Sequence, residues 1–174
     1  SKSIGERWLQ CANRIYKENN NIIKKGENIT MRILLADRQD ITRAGMIYVL
    51  QGMEGLEWKY TDDKAELMLA LKENDDTVVV LDYTSFDIND ADELLILQQR
   101  FTHTRWLLFS EDLSAELVRV LIASSMQFSI LLKECPLSEI KEAIKFCVHC
   151  NRFICQRMME VLLAPKHEVE EKVN

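Results

Sequence analysis

Long apolar runs, a leader-like N-terminus and a surplus of positive charge are all missing from this 174-residue chain. No run approaches the roughly 18 apolar residues of a membrane span, so no segment reads as transmembrane. The first residues, SKSIGERWLQCANRIYKENN, carry charges throughout their apolar pattern and lack a continuous apolar core. They do not read as a secretory signal. The net charge of −6 makes the chain a poor polyanion binder and argues against direct DNA binding by these residues. Cysteine is neither abundant nor even in number, at five residues. With no export signal, that predicts reduced thiols in a cytoplasmic protein. What is present is ordinary for a soluble globular domain: 47% hydrophobic and 29% charged residues, which exclude disordered and collagen-like classes. The length fits one domain with additions at its ends.

Residues 1–30 stand apart, with six Lys/Arg against three Asp/Glu in a chain that is acidic elsewhere. Ile4, Trp8, Ala12 and Ile15 recur at helical spacing and predict a helix over about 4–18. NNNIIKKGEN then reads as a linker. From residue 31 the pattern alternates. Strands are predicted at 31–37, 56–60, 77–82, 104–110 and 128–133. Helices are predicted at 41–53, 63–74, 90–101, 113–125 and 136–150, the first capped by Asp40 and the last opening with Pro136. A further amphipathic helix over 152–163 carries Ile154, Met158, Val161 and Leu162 on one stripe. The expected divisions are therefore an N-terminal helical extension (1–30), a main domain (31–150) and a helical linker (151–174).

Five apolar strands alternating with five helices predict a flavodoxin-like, doubly wound α/β fold: a parallel sheet in the order 2-1-3-4-5, covered on both faces. The extra helices lie at the two termini. Such sheets bind ligands outside the carboxyl ends of their strands, at the switch point between strands 1 and 3. Asp37 ends the first predicted strand, and Asp82 follows the run Val78 to Leu81 at the end of the third. Ser110 ends the fourth and Lys133 the fifth. Any one of these reads as turn chemistry. Four polar groups at four strand ends on one edge read as a site.

The stretches ILLADRQDITRAG (33–45), VVVLDYTSFD (78–87), LLFSEDLS (107–114) and ILLKECPLSEI (130–140) together resemble a bacterial response-regulator receiver domain over roughly residues 31–148. With NRFICQRMMEVLLA (151–164), the chain is most similar to the LuxR/NarL-type two-component transcriptional regulators. The resemblance implies that Asp82 accepts a phosphoryl group from a sensor histidine kinase. It implies that Ser110 and Lys133 contact that group, and that Asp37, Asp82 and the Thr84 backbone carbonyl hold Mg²⁺. A carboxylate nucleophile, a divalent cation and a lysine are sufficient for this chemistry. The apolar stripes of the terminal helices are expected to pack on the domain or across a homodimer, and the resemblance further implies DNA binding only through a C-terminal helix-turn-helix domain that these residues do not contain. It implies a signalling protein and not an enzyme.

Three departures from that pattern stand out. The acidic pair, normally two acids, reads Asp37-Arg38. The loop after Asp82 lacks Pro and Gly. The position of the aromatic switch in strand 5 is Ile130. With Arg38 counted, Asp37 and Asp82 oppose two cations and the site is neutral. Replacing an anion by a cation about 4 Å from a metal changes the interaction by several kcal/mol at an effective dielectric of about 20, so Mg²⁺ binding is expected to be weak. Two placements of Arg38 remain open: turned out to solvent, or paired bidentately with Asp82.

Other patterns lead to competing readings. CVHCNRFIC holds Cys147, His149, Cys150 and Cys155, but no second Cys/His pair lies at metal-site spacing, so these read as buried or interface cysteines. His103 and His167 are expected to be solvent-exposed without partners. Asp62, Asp63 and Asp87 read as caps or turn residues. One alternative function is a phosphorylation-independent interaction or dimerisation module with the same fold. A weaker one is a haloacid-dehalogenase-type phosphatase, which wants its nucleophile on the first strand and a second acid two residues later, where this chain has Thr84.

Overall fold

The structure, a computed structural model, describes residues 3–7, 10, 11, 14 and 31–165. Its elements are β1 (Met31–Ala36), α1 (Asp40–Gln51), β2 (Leu56–Tyr60), α2 (Lys64–Glu73), β3 (Val78–Leu81), a 3₁₀ turn (Tyr83–Phe86), α3 (Ala91–Arg100), β4 (Arg105–Ser110), α4 (Ala115–Ser124), β5 (Phe128–Leu132), α5 (Leu137–Val148) and α6 (Gln156–Leu163). The five strands form one parallel sheet in the order β2-β1-β3-β4-β5. The central runs VVVL and RWLLFS are buried at every position, as strands covered on both faces must be. The edge strand LEWKY instead alternates and exposes Glu57 and Lys59, charges that discourage pairing with another chain. Trp106, Phe86 and Phe128 are the largest fully buried side chains.

Helix starts follow local chemistry. Asp63 accepts from the Glu66 N–H at 2.8 Å, Asp90 from Glu93 at 3.0 Å and Ser114 from Leu117 at 3.2 Å. Asp40 departs from expectation. It is the first residue of α1, and Gln39 takes the cap position without a side-chain bond. The carboxylate of Asp40 therefore acts on the helix dipole and not as a cap.

The C-terminal helix begins later than its apolar stripe suggests, at Gln156. Phe153 and Cys155 are buried. Their backbone runs beside β5, with the Ile130 N–H donating to Phe153 O (2.8 Å) and the Cys155 N–H to Ile130 O (3.0 Å). The segment F-I-C satisfies either periodicity, and the unpaired edge of β5 selects the extended one. After it, α6 buries Met158 and rests Leu162 against the core.

At the N-terminus, residues 4–7, 10, 11 and 14 are helical, while Trp8, Ala12 and Ile15 of the expected stripe lie outside the described residues. His167 also lies outside them. Among the described residues no helix is long and apolar enough to cross a membrane. The expectation of five reduced thiols is corrected: Cys11 and Cys150 are joined by a disulfide, while Cys135, Cys147 and Cys155 are free. The pairing spans 139 residues, and such connectivity is not deducible from cysteine spacing.

The core is the stability reservoir. Leu107→Ala on β4, at a fully buried position, is expected to cost about 3 kcal/mol or more in urea unfolding. Leu69→Ala, on the exposed face of α2, should stay within about 0.5 kcal/mol. Equal losses at the two sites would contradict the layer assignment.

Candidate functional site

Parallel register builds the site. Ala36 pairs with Leu81, so Asp37 and Asp82 each stand one step beyond the same rung. Leu81 pairs with Leu108, which carries Ser110 just past the end of β3. Ser110 in turn pairs with Leu132, so Lys133 follows immediately. The ladder continues into these residues, with the Asp82 N–H on Ala36 O (3.0 Å) and the Lys133 N–H on Ser110 O (2.9 Å). The backbones of all four polar residues are thus fixed by the sheet.

Their side chains converge. Lys133 Nζ lies 2.9 Å from Asp82 Oδ2 and 2.9 Å from Asp37 Oδ2. The second contact is an ion pair whose direction falls short of a hydrogen bond, which leaves Asp37 Oδ2 buried without a donor. The other oxygen of Asp82 accepts from Thr84 Oγ1 (3.1 Å) and Ser110 Oγ (3.3 Å). Asp37 Oδ1 accepts from the Gln39 N–H at 2.8 Å, and Gln39 Oε1 accepts from Lys133 Nζ at 2.6 Å. Both aspartates are buried. Burial lowers the pKa of the Lys133 ammonium, and Asp37 and Asp82 more than offset it, so the net direction is upward. Beside the site, burial first and then the charges of Asp82 and Asp112 raise the Tyr83 phenol.

Of the two placements open to Arg38, the structure adopts the outward one. Its guanidinium sits 3.7 Å from Asp87 Oδ2 and 5.7 Å from the centroid of the Phe86 ring, with the side chain half exposed. Asp82 is partnered by Lys133, Thr84 and Ser110 instead. The site therefore holds two carboxylates against one ammonium, and the neutral balance expected from the sequence becomes −1. Asp87, expected as a turn residue, adopts a left-handed φ of 55° at the end of the 3₁₀ turn, where it meets Arg38.

The donor set suits a hard divalent cation. Asp37, Asp82 and the Thr84 carbonyl offer oxygen only, and the buried Asp37 Oδ2 has no hydrogen bond to lose. With two carboxylates against one ammonium, the charge at the site still attracts a cation. Gln39 and the Thr84 hydroxyl were not singled out from the sequence. A glutamine two residues past a strand-end aspartate, and a hydroxyl two past another, carry no spacing signal of their own.

Elsewhere, His103 has a partner after all: its Nδ1 lies 3.2 Å from Asp75 Oδ2. Asp62 pairs with Arg43 at 3.4 Å. Cys135, Cys155 and Glu139 bring their ligand atoms within 4.8 Å of one another. Glu139 Oε1, however, already accepts the Gln156 N–H at 2.8 Å, at the start of α6. Burial, then the neighbouring Cys155, pushes the Cys135 thiol up to about 12. That cluster sets the neutral Cys135 thiol beside a helix start.

No protein-family model matches the chain, and neither does any curated protein. Solved structures do match. The Salmonella typhimurium RcsB response regulator superposes with a TM-score of 0.65 at 17% identity, covering 77% of this chain, which spans 66% of that chain's length. The isolated RcsB receiver domain with the phosphomimetic BeF₃⁻ gives 0.64 at 17% identity, with 76% and 99% of the two chains covered. A LuxR-family response regulator from Aurantimonas sp. SI85-9A1 gives 0.64 at 20%, covering 83% and 99%. The NarL receiver domain of Mycobacterium tuberculosis gives 0.57 at 23%, covering 69% and 97%. At these identities the likeness is one of fold. The chain has the receiver fold, and the solved structures it is similar to are response regulators of the LuxR/NarL kind.

Lys133 is the cation on which two buried carboxylates depend. Lys133→Met should cost on the order of 3 kcal/mol at neutral pH, because both acids are left facing each other. The raised ammonium pKa means that Lys133 stabilises the fold fully below its ordinary value of 10.5 and loses that effect as pH climbs through the higher folded value. The stability gap between wild type and Lys133→Met should therefore close above that pH, in melts run side by side. A gap that persists unchanged there would rule this origin out.

Proposed function

We propose that this chain is the receiver, or signal-input, part of a two-component response regulator, with Asp82 as the phosphoacceptor. One observation carries the reading: a buried carboxylate at the end of the central strand, held in common by an ammonium and two hydroxyls. The Asp82 carboxylate attacks the phosphorus of a kinase phosphohistidine, a P–O bond forms, the P–N bond breaks and the histidine leaves with a proton. Lys133, already poised on Asp82, passes to a phosphoryl oxygen while keeping Asp37. Ser110 and Thr84 lose their acceptor on Asp82 as that oxygen becomes the bridging oxygen of the acyl phosphate, and donate to the new group instead. Asp37, Asp82 and the Thr84 carbonyl would hold Mg²⁺, which would supply further charge neutralisation. The same proposal includes a sensor histidine kinase as partner, a homodimer and a C-terminal helix-turn-helix output domain.

A second reading has its own support. The closed contacts among Lys133, Asp37, Asp82 and Gln39 satisfy the site without a phosphoryl group, and Arg38 stands where an acid would strengthen metal binding. Ile130, at the position expected to hold an aromatic switch, is fully buried. These features favour a phosphorylation-independent interaction module. The phosphatase reading has no such support, because Thr84 cannot act as its second acid.

The two readings separate under a small phosphodonor with Mg²⁺, followed by intact mass. The receiver reading expects a slow, single phosphoryl adduct on wild type and none on Asp82→Asn. Arg38→Asp, by adding a third carboxylate, should raise Mg²⁺ affinity at least tenfold and speed the adduct. No adduct on either wild type or Arg38→Asp would leave the interaction module as the function.

A further inference from the structure

Asp82 and its partners occupy the end of the sheet where the strands finish. At the other end, where β4 begins, the Cys11–Cys150 disulfide ties the N-terminal helical segment to the chain just past α5, with Cα atoms 6.1 Å apart. Residues 3–7 and 10 of that segment are exposed, and Arg14 pairs with Asp76 at 3.1 Å. Cys150 takes a left-handed φ of 60° at the position closing α5. The Cys150 N–H bonds Cys147 O and the Asn151 N–H bonds Phe146 O, a helix ending that glycine fills with less strain. Helix termination alone gives no reason for cysteine there.

The sulfurs lie in a positive setting. Arg105 Nη1 is 2.7 Å from Cys150 Sγ and 3.7 Å from Cys11 Sγ. Arg14 Nη2 is 3.6 Å from Cys11 Sγ and 4.0 Å from Cys150 Sγ. Asp76 pairs with both guanidinium groups, at 3.1 and 3.3 Å. A cavity of about 590 Å³ opens on both sulfurs, lined also by Arg7, Arg14, Arg105 and His103. His103 is in turn held by Asp75. Adjacent guanidinium groups stabilise a thiolate and lower a cysteine's pKa. Two of the free cysteines are set differently: burial pushes Cys147 up to about 11 and Cys135 up to about 12.

We propose that Cys11 and Cys150 are a reversible redox site that exchanges with small-molecule disulfides such as oxidised glutathione, fastening the N-terminal helix when oxidised and freeing it when reduced. In the reduced state Arg105 holds Cys150 as a thiolate. That thiolate attacks one sulfur of the donor disulfide, forming a mixed disulfide and expelling one thiolate. Cys11, having given up its proton, attacks Cys150 Sγ, forms the observed bond and expels the second thiolate. Two protein thiols have then lost two electrons and two protons, and the donor has become two thiols. Because the guanidinium groups stabilise the reduced form, the pair is more oxidising than an ordinary structural disulfide.

The test equilibrates the 174-residue chain in glutathione buffers of graded redox ratio, quenches in acid and counts alkylated cysteines by mass after denaturation. A single two-electron transition from five alkylated cysteines to three is expected. Cys11→Ser should trap one glutathione on Cys150. In that variant the alkylation rate of Cys150 should reach half its maximum below the ordinary thiol pKa of about 8.5. Arg105→Gln should shift the equilibrium toward the disulfide at least tenfold, about 30 mV. Should it misfold, Arg14→Gln tests the same effect from a more exposed position and should shift it at least threefold. Trypsin should cut after Arg7 and Arg14 several times faster in the reduced protein. Five alkylated cysteines at every ratio, a Cys135–Cys155 pair instead, or an equilibrium untouched in the folded arginine variants would overturn the redox site. Equal trypsin rates in the two states would overturn the fastening.

Discussion

Two ionised carboxylates cannot sit side by side at the dry end of a sheet without a cation between them. Parallel pairing of β1 and β3 forces that situation on Asp37 and Asp82, and the rest of the edge follows from it. Lys133 bridges both acids because β5 ends one residue short of it. Gln39 accepts a hydrogen bond from the ammonium and caps Asp37 with its own N–H, which fixes the turn into α1. Ser110 and Thr84 serve the oxygen of Asp82 that the lysine does not reach. Removing the charge balance would disturb the turn, the sheet end and the hydroxyl positions together.

The departure at Arg38 gains meaning in this frame. A second acid at that position would add repulsion to a pair that one lysine already has to hold, and a metal would then be needed to relieve it. The arginine removes that demand. It also keeps out of the way, since the Phe86 ring and Asp87 give the guanidinium a face to lie on and an anion to meet. The edge is therefore quiet without metal. A site that is quiet without metal has less to gain from binding one, whichever function it serves.

Most of the fold was legible in the sequence because strand and helix signals do not overlap here. Doubly buried strands read as unbroken apolar runs, and their alternation with helices leaves few topologies. The four strand-end residues were legible for the same reason, being polar groups at the close of apolar runs. Side-chain direction was not legible. Arg38 had two physically sound placements, and the choice rested on Phe86 and Asp87, which only the folded turn brings near. Gln39 and the Thr84 hydroxyl join the site through rotamers, which sequence spacing does not encode. The extended course of Phe153 to Cys155 depended on a free edge of β5, a property of the sheet and not of the segment. Cys11 and Cys150 lie too far apart in sequence for any local pattern to pair them.

The strand that delivers Lys133 is also the strand to which the departing chain is fastened. Ile130, three residues before that lysine, gives its N–H to Phe153 and takes the N–H of Cys155, immediately before α6 begins. Those two bonds, and the packing of Met158 beneath them, make β5 and the root of α6 one stiff body. A strain applied at the ammonium end therefore cannot be absorbed in a slack loop. The site end of β5 and the root of the C-terminal helix are joined by backbone hydrogen bonds, with no loop between them to take up slack.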